Sequence, residues 1–291
     1  MRDYVLSSET FNDLPFSYLE ENDVKYIGAR YTLGDTEYTA ATKQDLDCKT
    51  FYDRLRKGEM PHTTQVGVEE ATNMFEQIVA QGKDVLHIAF SSGLSGTYQA
   101  FRIAADEVME RHPECKIRVI DSLSASMGQG LMVEYCIRQK KAGMEMTALA
   151  DRLEQERQRF IHMFTVDDLS HLHRGGRVSK LSAIVGGALG IKPILHVDEN
   201  GKLIPIGKVR GRKQSLMELA AYMDKKYDRN SDMPVFISHG DTLGDAEFLA
   251  EIVRERFGVQ DIRIGEVGPV IGAHSGPGTI ALFFIGSDRM P

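Results

Sequence analysis

Residues 84–97 read DVLHIAFSSGLSGT, and the way this stretch divides decides the fold. Val85-Leu86-His87-Ile88-Ala89-Phe90 is an apolar run with the length and β-branched content of a buried strand. It breaks into Ser91-Ser92-Gly93-Leu94-Ser95-Gly96-Thr97. A helical pattern follows, with Tyr98, Phe101, Ile103, Ala104, Ala105, Val108 and Met109. Glycines let a backbone turn sharply, and the first amides of a helix lack internal partners and carry partial positive charge. Three serines and a threonine add short donors. Such a loop either caps its own helix through Ser95 or Thr97 or seats an anionic oxygen group, and the loop alone leaves both readings open.

The same unit recurs on either side. Tyr4-Val5-Leu6-Ser7 reads as a short strand followed by Ser8-Glu9-Thr10. Residues 115–120 read as another strand, running into Asp121-Ser122-Leu123-Ser124-Ala125-Ser126-Met127-Gly128. Helices are expected at 97–112, 127–141 and 147–159. Strand–helix alternation implies right-handed crossovers and a parallel sheet, with the loops after its strands converging on one edge. Between the first two strands, residues 24–31 read as one strand and 33–38 as a hairpin about Gly34-Asp35. A helix is expected at 51–58. Thr63 and Thr64 then precede a helix over about 68–81, a second hydroxyl-rich helix start.

After residue 160 the texture changes. Residues 160–166 read as a strand, 168–173 as one or two helical turns, and 179–189 as an apolar helix rich in small residues. Runs at 191–197 and 203–209 flank Asp198-Glu199-Asn200-Gly201-Lys202, a strong hairpin signal. A helix through Leu216, Leu219, Ala220 and Met223, a strand at 235–238, a helix at 244–257 and strands at 261–267 and 279–285 complete the chain. The last two strands enclose Val267–Gly278, read as a rigid glycine- and proline-rich loop that presents His274 and Ser275. The expected fold is α/β: a Rossmann-like parallel-sheet domain over 1–159 and a second α/β domain with a mixed sheet over 160–291.

Composition narrows the chemistry. The 291 residues carry a net charge of −7, with 42% apolar and 26% charged residues. These values fit an ordinary globular protein and argue against a broad nucleic-acid surface. Three irregularly spaced cysteines, Cys48, Cys115 and Cys136, give neither a disulfide framework nor a zinc spacing. The first residues turn polar too early for a signal peptide, and the longest apolar run, 183–191, is too short to span a bilayer, so a cytoplasmic protein is expected. Arg174, Arg177, Arg210, Arg212 and Lys213 form two basic clusters, either ordinary solvated charge or a counterpart for an anion or an acidic partner. Common enzyme signatures fail. Gly93-Leu94-Ser95-Gly96-Thr97 ends in threonine where a nucleophile elbow needs glycine. No phosphate-binding G-x-x-x-x-G-K-S/T is present, and the first strand is not followed by G-x-G-x-x-G.

Taken together, the loops resemble the DegV family, whose members are similar to the fatty-acid-binding subunits of bacterial fatty acid kinase. Met60-Pro61-His62-Thr63-Thr64-Gln65 is similar to the family's P-x-T-S-Q-P, and Ser91–Tyr98 to its S-S-x-L-S-G-T-Y. Asp121-Ser122 with Met127-Gly128-Gln129-Gly130 resembles D-S-x-x-x-S-x-G-x-G, residues 172–179 resemble L-x-x-G-G-R-I-S, and Gly272–Gly278 resembles G-x-H-x-G-P-G. Departures are Glu9-Thr10 in place of Asp-Ser, Thr64 and Val66 in place of the serine and proline of T-S-Q-P, and Ala40-Ala41 where an acidic residue is usual.

The resemblance implies a lipid carrier, not an enzyme, with no catalytic residue, metal or cofactor. One long-chain fatty acid, held between the two domains, is the implied ligand, and a separate ATP-dependent kinase subunit the partner. Thr63, Ser92, Ser95 and His274 would hold the carboxylate, supported by Thr64, Gly93, Gly96, Ser275 and Gly276. Arg177 and Arg210 would serve the carboxylate end or the kinase encounter. Neither nucleic acid nor a transmembrane segment is implied, and membrane contact would be transient. Two alternatives are a serine hydrolase or acyltransferase built on Ser95 and His274, and a phosphoryl-transfer enzyme of the dihydroxyacetone-kinase kind.

Overall fold

The computed structural model describes residues 2–40, 45–178 and 190–289. Its strands are β1 (Tyr4–Glu9), β2 (Lys25–Ile27), β3 (Arg30–Leu33), β4 (Thr36–Thr39), β5 (Pro61–Thr64), β6 (Asp84–Ala89), β7 (Ile117–Asp121), β8 (Phe160–Thr165), β9 (Ile191–Val197), β10 (Leu203–Arg210), β11 (Val235–His239), β12 (Ile262–Glu266) and β13 (Ile280–Ile285). The helices are α1 (Phe16–Glu21), α2 (Cys48–Arg56), α3 (Val68–Val79), α4 (Thr97–Arg111), α5 (Met127–Lys141), α6 (Met146–Glu156), α7 (Ser170–Arg174), α8 (Arg212–Lys226), α9 (Leu243–Phe257) and α10 (Pro269–Ser275).

The fold is α/β, as the alternation of elements implies. A parallel four-stranded sheet has the order β2-β1-β6-β7, and a mixed six-stranded sheet the order β10-β9-β8-β13-β11-β12. A small antiparallel sheet, β4-β3-β5, lies apart from both in pairing. The β9–β10 hairpin forms about the Asn200-Gly201 turn, with Gly201 at φ +72°. Helix α5 touches β1 and β6 of the parallel sheet and β8, β11 and β13 of the mixed one. Every residue from Met127 to Ile137 is buried. One apolar cluster therefore runs from Leu86 and Ile88 through Leu131 and Met132 to Phe236 and Phe283. A helix buried all round has no polar stripe to read.

Three expectations need correction. Residues 24–31 are not one strand: β2 pairs with β1, while β3 belongs to the small sheet. Gly28 lies between them, so close to the chain that an added Cβ would come within 2.3 Å of the Ala40 carbonyl oxygen. Thr63 and Thr64 do not open a helix. They end strand β5, and α3 begins at Val68, where the Glu70 carboxylate accepts from the Gly67 amide at 2.8 Å. The span 267–278 is not all loop, because α10 occupies Pro269–Ser275. Proline is tolerated in a first helical turn, where its missing N–H would have no partner, and Gly276 at φ +79° ends the helix. The helix expected at 179–189 lies outside the described residues.

Candidate functional site

The site begins where β6 ends. The buried Glu9 carboxylate, at the end of β1, accepts from the Phe90 amide at 3.2 Å and from Gln129 Nε2 at 2.8 Å, with His87 Nε2 at 3.1 Å. This fully enclosed group fixes the start of the 91–97 loop against α5. The loop is then folded on itself. Ser95 Oγ accepts from the Thr97 amide at 3.2 Å and lies 3.0 Å from Thr97 Oγ1, which accepts from the Val66 amide at 3.3 Å. The capping reading of Ser95 thus holds in part, since its oxygen serves a first-turn amide of α4, while the residue also lines a cavity.

That cavity, of about 390 Å³, lies between the two large sheets. Its apolar wall includes Phe11, Phe90, Phe164, Leu172, Leu203 and Phe283. Thr63, Thr64, Ser95, Gly96, Arg177, His274 and Ser275 also line it, so most of the residues singled out in the sequence come together here. Strand β5 supplies Thr63, α10 supplies His274, and Thr63 Oγ1 stands 2.8 Å from His274 Nε2. His274 Nδ1 is buried without a hydrogen-bond partner among the described residues. Burial, then the nearby Arg177, push the imidazole down to about 4, so His274 is neutral at physiological pH. The Arg177 guanidinium is held by the carbonyls of Leu94, at 3.2 Å, and Gly175. Among the described residues it pairs with no carboxylate.

The remaining candidates lie elsewhere. Ser92 is exposed and outside the lining, with its amide bonded to Asp121 Oδ1 at 3.1 Å. Gly93 is the seat of the hairpin turn, where an added Cβ would lie 2.5 Å from the Asn200 carbonyl oxygen. Gly276 packs on the His171 ring, outside the lining. Arg210 is exposed at the end of β10, opposite Ile191 and away from the cavity.

Other lining groups escaped the sequence reading: Gln65, Ser238, and Ser126, whose hydroxyl donates to Asp13. Asp13 also accepts from the Gly268 amide at 3.1 Å, joining the start of α5 to the start of α10. Their sequence signals were Gln65, at the glutamine of P-x-T-S-Q-P, and Ser126, at the serine position of the D-S-x-x-x-S pattern. Among the described residues no group of three His, Cys, Asp or Glu side chains is placed to hold a metal, and no helix is long and apolar enough to cross a membrane.

Two sheets of an α/β fold thus enclose a largely apolar cavity whose wall carries hydroxyls, a neutral imidazole and an arginine with no carboxylate partner among the described residues. The chain belongs to the DegV family, whose model, described as "Uncharacterised protein, DegV family", matches residues 8–287. A DegV domain-containing protein of Clostridium perfringens is 40% identical over 291 residues, with all of both chains covered. A DegV lipid-binding protein of Thermotoga maritima is similar in structure, with a TM-score of 0.85 and 28% identity over 100% of each chain. So is a fatty-acid-binding DegV family protein of Streptococcus agalactiae, with a TM-score of 0.85 and 28% identity, covering 99% of this chain and 100% of the other.

Proposed function

We propose that this chain binds one long-chain fatty acid between units 1–159 and 160–291 and presents its carboxylate to a separate ATP-dependent kinase, which forms the acyl phosphate. One observation carries the reading. Arg177, with no carboxylate partner among the described residues, lies with Ser95 and the Thr63–His274 pair on the wall of an otherwise largely apolar cavity. A buried carboxylate loses its hydration and needs several donors or must take a proton. With the proton on Nε2, His274 donates to Thr63, which frees the threonine proton for the ligand. Ser95 and Arg177 supply further donors. A chain of about sixteen methylenes, at ~0.8 kcal/mol each, contributes a gross drive of roughly 10 kcal/mol before ordering costs. The cavity volume falls within the range of roughly 300–1,000 Å³ typical of small-molecule sites. The two structural relatives, described as binding lipid and fatty acid, support the same assignment.

The geometry disfavours a Ser95 nucleophile. The hydrogen bond of His274 Nε2 is with Thr63, and that of Ser95 Oγ is with Thr97. Arg177, on the cavity wall, suits the carboxylate end. Exposed Arg210 suits the encounter with the kinase.

Denaturing mass spectrometry of the purified chain tests the reading and should release about one equivalent of fatty acid. An empty protein that also takes up neither palmitate nor oleate would overturn it. For the kinase step, Arg210→Ala should slow phosphorylation more than it weakens lipid binding. Equal loss of both would place Arg210 in ligand binding instead.

A further inference from the structure

Beyond Thr63, Ser95, Arg177 and His274, the cavity has a second polar wall, to which Ser275 belongs. Ser126, Ser238, Ser275 and Thr279 all line it and are at most 7% exposed. Thr279 Oγ1 donates to the Gly276 carbonyl at 2.8 Å and is satisfied. Ser126 Oγ donates to Asp13 and lies 3.2 Å from Ser238 Oγ. Above about pH 7 the Asp13 carboxylate is ionised and only accepts, so the single proton of Ser126 is then committed to Asp13, and the bond between the two serines must be donated by Ser238. Ser238 then offers the cavity lone pairs, not a proton. Ser275 Oγ has no hydrogen-bond partner among the described residues. The turn after Ser275 leads back to Thr279, and Ala281, two residues on, is the register partner of Ser238. These hydroxyls therefore cluster at one end of β11 and β13. His162 Nε2 is also buried and without a partner among the described residues, but Gly128 closes that ring edge, where an added methyl would lie 2.0 Å away.

The two polar stations differ in sign. The carboxylate seat supplies donors and a positive charge. The Ser238 station supplies an acceptor backed by the Asp13 carboxylate, which repels a second anion and suits a neutral hydroxyl. A plain hydrocarbon chain would leave Ser275 unpaired and the lone pairs of Ser238 unused, which costs affinity instead of adding to it. Ser275 follows His274 directly on α10, with Cα atoms about 3.8 Å apart and side chains that leave the helix about 100° apart, and both line the cavity, so the hydroxyl station adjoins the carboxylate seat.

We propose that the fatty acid taken by this cavity carries a hydroxyl group within the first few carbons of its carboxyl end, donating to Ser238 Oγ and accepting from Ser275 Oγ. This assignment rests on the fatty-acid reading above and narrows its ligand class.

The test is competition binding of 3-hydroxypalmitate and palmitate to the delipidated full chain at pH 8. The wild-type protein should favour 3-hydroxypalmitate by about fivefold, the equivalent of one net hydrogen bond. Ser238→Ala and, separately, Ser275→Ala should bring the ratio toward one, with circular dichroism confirming that each variant is folded. Equal affinities in the wild-type protein, or a preference that survives in both variants, would overturn the proposal and leave an ordered water as the partner of the serines. Binding of palmitate without that preference refutes the hydroxyl station alone. Failure of both acids to bind refutes the fatty-acid reading with it.

Discussion

His274 Nε2 lies 2.8 Å from Thr63 Oγ1, a contact that joins α10 to strand β5 across 211 residues of chain. Removing the hydroxyl while keeping the shape isolates its contribution. Thr63→Val should weaken palmitate binding about tenfold or more, the usual consequence of losing a hydrogen bond to a charged group. Thr63→Ser should retain most of the affinity. Titration of both variants beside their melting curves checks this, and a valine variant that binds as tightly as wild type would remove Thr63 from the site.

The neutral imidazole sets a pH dependence. His274 titrates near 4 in the folded chain, against 6.5 for an ordinary histidine. Above pH 6.5 it is uncharged in both folded and unfolded states and adds no slope. As pH falls from 6.5 toward 4, the unfolded chain takes up a proton that the folded chain refuses, so stability is lost. His274→Gln should flatten the pH dependence of urea unfolding in that window relative to wild type. Other buried histidines, His162 among them, are depressed as well, so the informative quantity is the difference between the two proteins. Parallel curves would mean that His274 is solvated.

Two adjacent glycines should respond in opposite ways. Gly175 has φ −68°, which any residue adopts, yet an added Cβ would stand 2.3 Å from His274 Nδ1. Gly175→Ala should displace the imidazole and reduce ligand affinity, with an overpacking cost of about 1–3 kcal/mol in stability. Gly176 has φ +70° and nothing within 4 Å of an added Cβ. Gly176→Ala should cost about 1 kcal/mol through the backbone alone and leave affinity unchanged. Binding and unfolding measured on both variants separate the two mechanisms. If affinity falls equally in both, close approach to His274 is not the reason for Gly175.

The elements visible in the sequence are those whose signals are local. The 85–90 strand with its glycine loop and the Asn200-Gly201 hairpin each state their geometry within a dozen residues, and the structure contains both. What stayed hidden depends on contacts between distant segments. The break at Gly28 follows from the Ala40 carbonyl, and α10 was masked by Pro269, Gly272 and Gly276, residues common in loops. Thr63 reads as a candidate ligand group but on the wrong kind of element, because a four-residue edge strand ahead of a helix leaves almost no periodic signal. Within the site, Thr63, Ser95, Arg177 and His274 stand in recognisable motifs. Asp13 stands in none of those motifs, and Ser238 reads only as a strand end. They meet Ser126 because the two sheets close around α5, which no local pattern encodes.

Asp13 supplies a last prediction, with the opposite sign to His274. Its backbone is left-handed at φ +52°, and its carboxylate accepts from Ser126 Oγ and the Gly268 amide. Burial raises its pKa to about 7 against those two hydrogen bonds, which favour the charged form. The folded chain therefore holds a proton between about pH 4 and 7 that the unfolded chain has released. Stability from this group is complete below about pH 4 and is lost as pH rises through 7. Asn tolerates the left-handed conformation, keeps an acceptor for the Gly268 amide and carries no charge to desolvate. Asp13→Asn should thus be neutral near pH 4 and stabilising at pH 8, read from denaturant midpoints at the two values. A variant that loses stability at pH 8 would show that the two hydrogen bonds outweigh the desolvation of the carboxylate. The link between α5 and α10 would then depend on the charge itself.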